Sequence, residues 1–89
     1  MIAKHIIFKG RVQGVGFRYG SYRVVSGYEI TGYVRNLPDK TVEMQIQGKP
    51  DDIERCLVEI QDYFSGHIRD CQINTVPVNP RYHDFRITY

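Results

Sequence analysis

Residues 2 to 18 read IAKHIIFKGRVQGVGFR, and this stretch decides how the rest of the chain is arranged. Its first part, residues 2 to 9, is rich in β-branched and aromatic residues. Because apolar side chains occur on both faces of this segment, it is predicted to be a central strand. A glycine-rich loop then begins at Gly10. From Phe17 apolar or small residues recur at helical spacing, so a first helix is predicted to begin there and to stop near Gly27.

A hairpin is predicted to follow this helix. Residues 30 to 36 have the composition of a strand, and residues 41 to 47 alternate between apolar and polar side chains. The turn between them contains Pro38, Asp39 and Lys40, which are residue types suited to tight turns. The alternation indicates that one face of this hairpin is buried.

The second half of the chain contains the clearest helix of the sequence. Residues 50 to 66 begin with proline and two aspartates, carry an apolar stripe at helical spacing, and end at a glycine. Residues 69 to 76 and 83 to 89 are predicted strands. The connection from Pro77 to Pro80 cannot lie inside a sheet ladder, so it must join the two.

The predicted element order is β-α-β-β-α-β with a short terminal strand. This order is typical of an α+β, ferredoxin-like two-layer sandwich, in which two helices cover one face of an antiparallel sheet. With 89 residues, the chain is too short to divide into two parts that could each bury a core. A single domain over residues 1 to 89 is therefore expected.

Composition and charge exclude several classes of function. The net charge of +2 comes without a long run of like charges, so a nucleic-acid-binding tail is not expected. There is no leader-like segment and no long apolar run, which favours a cytoplasmic location. Cys56 and Cys71 lack the spacing of a zinc or redox pair, and whether they form a disulfide stays open. His5, His67 and His83 are scattered, so no metal site is expected.

The loop from Gly10 to Arg18 has the chemistry of an anion site. Its glycines permit left-handed backbone and close approach of a ligand, and a helix starting directly after it adds unpaired N–H groups. Arg18 supplies a planar, permanently charged fork that can hold two phosphate oxygens. The loop lacks the Lys-Ser/Thr of a nucleotide-binding P-loop. The alternative is a simple turn with a solvated arginine.

Asn36, at the end of the second strand, is the other candidate site residue. A crossover through the first helix makes strands one and two run in the same direction, so their C-terminal ends share one edge of the sheet. Arg18 and Asn36 should therefore meet there. The amide of Asn36 can both donate and accept hydrogen bonds, although an asparagine before a Leu-Pro-Asp turn can also be purely structural.

Together, GRVQGVGFR at residues 10 to 18 and GYVRN at residues 32 to 36 resemble the acylphosphatase family, which carries GxVQGVxFR and GxVRN in this order. The resemblance implies a hydrolase that cleaves acyl phosphates into a carboxylate and phosphate. It assigns phosphate binding to Arg18 and to the loop amides, and orientation of the attacking water to Asn36. The loop residues concerned are Gln13, Gly14, Val15, Gly16 and Phe17. A substrate phosphate oxygen would take the proton from water, and no metal or cofactor is implied.

Three positions depart from the family pattern. Lys40 stands in the hairpin where glycine is usual, which implies strain of about 1 to 2 kcal/mol if that residue is left-handed. Tyr33 stands where tryptophan is common. The first helix lacks its usual alanine, and Gly20 lowers its helix propensity further.

Two alternative functions have specific grounds. The same loop occurs in domains that handle carbamoyl phosphate at the start of larger hydrogenase-maturation proteins, but the length of this chain argues against that class. RNA-binding domains share the βαββαβ order, but they need exposed aromatics on the central strands, and here only Phe8 is available there. The expected partner is therefore a small acyl phosphate, with no nucleic acid or membrane, and the protein is expected to be a monomer.

Overall fold

A computed structural model describes all residues from Met1 to Tyr89, and its seven elements follow the predicted order. The strands are β1 (Ile2–Gly10), β2 (Thr31–Asn36), β3 (Val42–Gly48), β4 (Ile68–Val76) and β5 (Phe85–Thr88), and the helices are α1 (Phe17–Val25) and α2 (Pro50–Tyr63). Each boundary lies within a few residues of its predicted position. The α+β class and the two-layer arrangement are confirmed.

The five strands form one sheet in the order β4-β1-β3-β2-β5. Strand β1 is an internal strand, as predicted, because it pairs with both β3 and β4. Both β1 and β2 are antiparallel to β3, so they run in the same direction and end at the same edge of the sheet. This arrangement places the loop after β1 beside the hairpin after β2.

The sheet departs from the antiparallel expectation at one edge. Strand β5 pairs in parallel with β2, from Gly32 opposite Phe85 to Arg35 opposite Thr88. The other three strand pairs are antiparallel. Because β5 is only four residues long, its direction depends on the connection that precedes it rather than on any local pattern.

The core lies between the sheet and the two helices. Ring packing joins the sheet to both helices, since the Phe17 ring lies 4.9 Å from that of Phe8 and 4.3 Å from that of Phe64. The apolar side chains of the alternating strand β3 and of the apolar stripe on α2 are buried, as predicted. The fully buried members of the core include Ile6, Met44, Ile46, Ile53 and Ile60.

Several features left open by the sequence are resolved. Lys40 has a φ of 73° and is thus left-handed, so it carries the strain that a glycine would avoid. Cys56 and Cys71 are free thiols. Neither helix is long and apolar enough to cross a membrane. Phe8 is buried in the core, so it cannot serve as a surface platform for RNA bases.

Candidate active site

The loop between β1 and α1 is shaped by two left-handed glycines. Gly14 has a φ of 78° and Gly16 a φ of 74°, and a Cβ atom added at either would meet nothing within 4 Å. Glycine is therefore required there for backbone conformation rather than for space. Gly16 directly precedes α1, and its carbonyl accepts a hydrogen bond from the Gly20 N–H at 2.9 Å.

The backbone N–H groups in the second part of this loop are unpaired. None of those from Gln13 to Arg18 donates a backbone hydrogen bond within the protein. Helix α1 has no acidic residue in its first turn and no side-chain cap, so nothing neutralises the positive end of its dipole. The arrangement suits an anion that accepts several N–H bonds at once.

Gln13 fixes the loop against the hairpin. Its side-chain Nε2 donates to the carbonyl oxygens of Leu37 and Thr41, both at 2.8 Å. These two acceptors lie on either side of the turn that follows Asn36. The loop and the hairpin therefore hold each other in position.

Arg18 is held only lightly. Its Nη1 lies 3.5 Å from the Thr88 carbonyl oxygen, which is at the limit of a hydrogen bond, and its guanidinium lies 4.7 Å from the centre of the Tyr89 ring. No carboxylate pairs with it. Most of its donor fork is consequently available to a ligand.

These groups surround a pocket of about 210 Å³ at the shared edge of β1 and β2. It is lined by Val12, Gly14, Gly16, Phe17, Arg18, Tyr19, Asn36, Ile87 and Tyr89. Arg18 and Asn36, eighteen positions apart in sequence, thus line one pocket. Gln13 and Val15 do not line it with their side chains, because Gln13 points to the hairpin and Val15 is exposed.

Four of the residues that line this pocket were not predicted from the sequence to do so. Ile87 and Tyr89 reach the pocket because β5 lies in parallel beside β2 and ends at the same edge. Val12 and Tyr19 flank the glycines and the arginine of the loop. The parallel pairing of a last strand could have suggested Ile87 and Tyr89, but a four-residue strand gives no sign of its direction.

The pocket contains no side chain that could act as a general base. Its lining includes no aspartate, glutamate, histidine or cysteine, and its only ionised side chain is Arg18. The protein also has no group of three or more potential metal-ligating side chains. The pocket offers positive charge, N–H donors and one amide side chain.

A family model described as Acylphosphatase matches residues 4–87. The chain belongs to the acylphosphatase family. The acylphosphatase of Picrophilus torridus is 35% identical over 83 residues, which cover 93% of this chain and 98% of that protein. The crystal structure of Bacillus subtilis acylphosphatase matches with a TM-score of 0.91 at 30% identity, and each chain is covered completely. Membership of the acylphosphatase family supports hydrolysis of acyl phosphates as the activity of this chain.

Some of the other matches are partial. Curated acylphosphatases of 45% to 48% identity align over shorter segments, which span 54% to 70% of their own length. HypF of T. kodakarensis matches with a TM-score of 0.86 at 30% identity, covering all of this chain but only 12% of the HypF chain. The fold therefore occurs both in small acylphosphatases and within a much longer protein.

Proposed function

We propose that this acylphosphatase binds the phosphoryl group of its substrate in the pocket at the shared edge of β1 and β2. The observation that carries the proposal is the run of unpaired N–H groups from Gln13 to Arg18 beside the lightly held Arg18 guanidinium. A phosphoryl group offers three acceptor oxygens, which match several N–H donors and a planar fork. The two hydrogen bonds from Gln13 to the hairpin hold these N–H donors in place before the substrate binds.

The reaction requires little more than this set of donors. Hydrolysis of an acyl phosphate releases a carboxylate, whose conjugate acid has a pKa of about 4, so the leaving group needs no strong general acid. Phosphoryl transfer passes through a loose transition state with charge on the equatorial oxygens. Positioned N–H groups and one arginine stabilise that charge without reorganising.

Asn36 is the group proposed to position the attacking water. The carbonyl oxygen of its side-chain amide can accept a hydrogen bond from the attacking water. Because the pocket holds no base, the water proton passes to an oxygen of the substrate phosphoryl group. The phosphorus–oxygen bond to water then forms as the bond to the carboxylate oxygen breaks.

The test is turnover of benzoyl phosphate without added metal. Asn36→Ala should abolish turnover while leaving the inhibition constant of inorganic phosphate nearly unchanged, because Asn36 serves the water and not the phosphate. Arg18→Ala should lower kcat/KM by at least about 10² to 10³ and also weaken inhibition by phosphate.

Asn74→Ala is a matched control, because Asn74 is exposed on β4, which is separated from β2 by β1 and β3. It should retain full activity and the same phosphate inhibition. Retained turnover by Asn36→Ala would remove Asn36 from the mechanism. Unchanged phosphate inhibition in Arg18→Ala would overturn the assignment of the pocket.

A carbamoyl-phosphate-handling role is the second candidate, favoured by the match to part of HypF. Carbamoyl phosphate offers the same phosphoryl group to the pocket, but its carbamoyl group is smaller and more polar than benzoyl. Comparing kcat/KM for benzoyl and carbamoyl phosphate separates the two roles. Higher kcat/KM for carbamoyl phosphate would favour the second.

The wider setting of the activity is also a proposal. The substrate is a small acyl phosphate, and we place the protein in the cytoplasm as a monomer that needs neither nucleic acid nor a membrane. The net charge of +2 without a long run of like charges supports the absence of a nucleic-acid-binding tail. Analytical ultracentrifugation would test the monomeric state.

A further inference from the structure

A second concave surface of the protein is larger than the phosphate pocket. It is a groove of about 560 Å³ formed by β2, β5 and the segment from Arg81 to Asp84. The groove and the phosphate pocket share no lining residue. Its volume is in the range of small-molecule binding sites.

The segment from Arg81 to Asp84, which forms the outer wall of this groove, follows a residue that is anchored to a buried side chain. The side chain of Gln47, only 3% exposed, donates through Nε2 to the Asn79 carbonyl oxygen and accepts from the Asn79 N–H, both at 2.8 Å. Asn79 in turn accepts hydrogen bonds from the N–H groups of Arg81 and Tyr82. The Asp84 carbonyl oxygen accepts from the Gly32 N–H at 2.9 Å. The wall is thus fixed at both ends.

Two tyrosines form an aromatic corner in the groove. The rings of Tyr33 and Tyr82 have centroids 6.2 Å apart and meet at 73°, edge to face. Burial and the neighbouring Glu43 carboxylate raise the pKa of Tyr33 to about 12, so its hydroxyl remains a neutral donor. Because the two half-buried rings meet at this angle, a planar ligand ring can stack on the face of one tyrosine and contact the edge of the other.

The rim of the groove is cationic. Arg35 pairs with Glu43, and Arg86 pairs with Asp84 at 3.0 Å. Arg81 takes part in none of the three salt bridges of the protein. Burial raises the pKa of Glu43, but hydrogen bonds from His5 and Arg35 outweigh it and leave that pKa lowered, so Glu43 stays charged and holds Arg35. Arg81 remains free for an anion.

We propose that the groove binds a nucleoside phosphate, with the base against the Tyr33–Tyr82 corner and a phosphate on Arg81. A planar heterocycle joined to a phosphate is the chemical class that uses both features at once, since bases stack on aromatic rings and arginine forks bind phosphate. Arg86 is the second cation on the rim, and its exposed pair with Asp84 is weak enough to exchange. The groove is separate from the phosphate pocket, so both sites can be occupied together.

Titration calorimetry with ATP as the probe tests this proposal. ATP should bind at least about ten times more tightly than adenosine or tripolyphosphate alone, because each of these lacks one half of the contacts. Tyr82→Ala and Arg81→Ala should each weaken ATP binding about tenfold or more, whereas Tyr82→Phe should retain it. All three variants should keep acylphosphatase activity, which shows that they fold.

Two further variants complete the design. Arg55→Ala, which removes an exposed arginine from α2, should bind ATP as the parent protein does. Arg18→Ala should also bind ATP, because Arg18 lines the phosphate pocket and not the groove. The ATP result is therefore independent of whether Arg18 is correctly assigned to catalysis. The proposal is overturned if ATP does not bind, if inorganic phosphate displaces it, if Tyr82→Ala and Arg81→Ala bind normally, or if a single-stranded oligonucleotide binds much more tightly than ATP.

Discussion

At the scale of single residues, Lys40 has a left-handed backbone conformation that residues other than glycine rarely adopt. It is the only non-glycine residue with a positive φ, in the hairpin turn closed by the hydrogen bond from its N–H to the Leu37 carbonyl oxygen. Lys40→Gly should raise the free energy of unfolding by about 1 kcal/mol, because it relieves the left-handed strain and loses part of that gain to backbone entropy. Urea unfolding measures the change. Lys40→Ala keeps the strain and should give no gain; equal stabilisation by both variants would refute the argument.

Gly20 is the opposite case, because here glycine is required for space. A Cβ atom at Gly20 would lie 2.5 Å from the Phe64 ring, which is itself stacked on Phe17. Gly20→Ala should therefore lower the free energy of unfolding by about 1 to 3 kcal/mol, although alanine is the better helix former by about 1 kcal/mol. Gly27→Ala is the matched control, since a Cβ there meets only an ordinary contact at 3.5 Å. A stabilised Gly20→Ala protein in urea unfolding would show that the ring can move aside.

At the scale of elements, the loop after β1 depends on the hairpin after β2 through one side chain. Gln13→Ala removes both bonds to the Leu37 and Thr41 carbonyl oxygens, so the free energy of unfolding should fall by about 1 to 2 kcal/mol. A looser loop holds its N–H groups less well. The KM for benzoyl phosphate should therefore rise about tenfold.

Steady-state kinetics and urea unfolding of the same samples test this dependence. Gln72→Ala, an exposed glutamine on β4, should change neither quantity. If Gln13→Ala lost stability but kept its KM, the loop would be preorganised without the hairpin.

The sequence predicted those elements whose own residues determine them. Strand β3 alternates and α2 carries an apolar stripe, so both could be located from their patterns. The meeting of Arg18 and Asn36 was predictable because a crossover through α1 makes β1 and β2 run in the same direction. Three other features were not predictable, because they arise from contacts between segments far apart in sequence. They are the parallel direction of β5, the hydrogen bonds from Gln13 to the hairpin, and the groove beside Tyr82. Even the weakness of α1 had a tertiary cause, since Gly20 makes room for Phe64.

At the scale of the whole molecule, the core determines how stability changes in alkaline solution. Burial, together with the charges of Glu59 and Asp52, raises the pKa of the Cys56 thiol from 9.0 to about 12. Below pH 9 the thiol is protonated in both states, and its contribution to stability is fully present. As the pH rises from 9 towards 12, the unfolded chain releases the proton while the folded protein retains it, so the free energy of unfolding falls by about 4 kcal/mol in all. Tyr33, with its own raised pKa, adds to the loss in the upper part of this range.

Urea unfolding at several pH values between 8 and 11 separates the contributions of Cys56 and Tyr33. This range covers the titration of Cys56 in the unfolded chain. Cys56→Ala should be less stable than the parent protein at the lower pH, because it leaves a cavity, but its stability should decline less steeply as the pH rises. Cys71→Ala is the matched control, because Cys71 is only partly buried and its pKa is raised less. It should follow the steep decline of the parent protein. If Cys56→Ala declined as steeply as Cys71→Ala, the alkaline loss of stability would have to originate at other groups whose pKa is raised, such as Tyr33 or Tyr28.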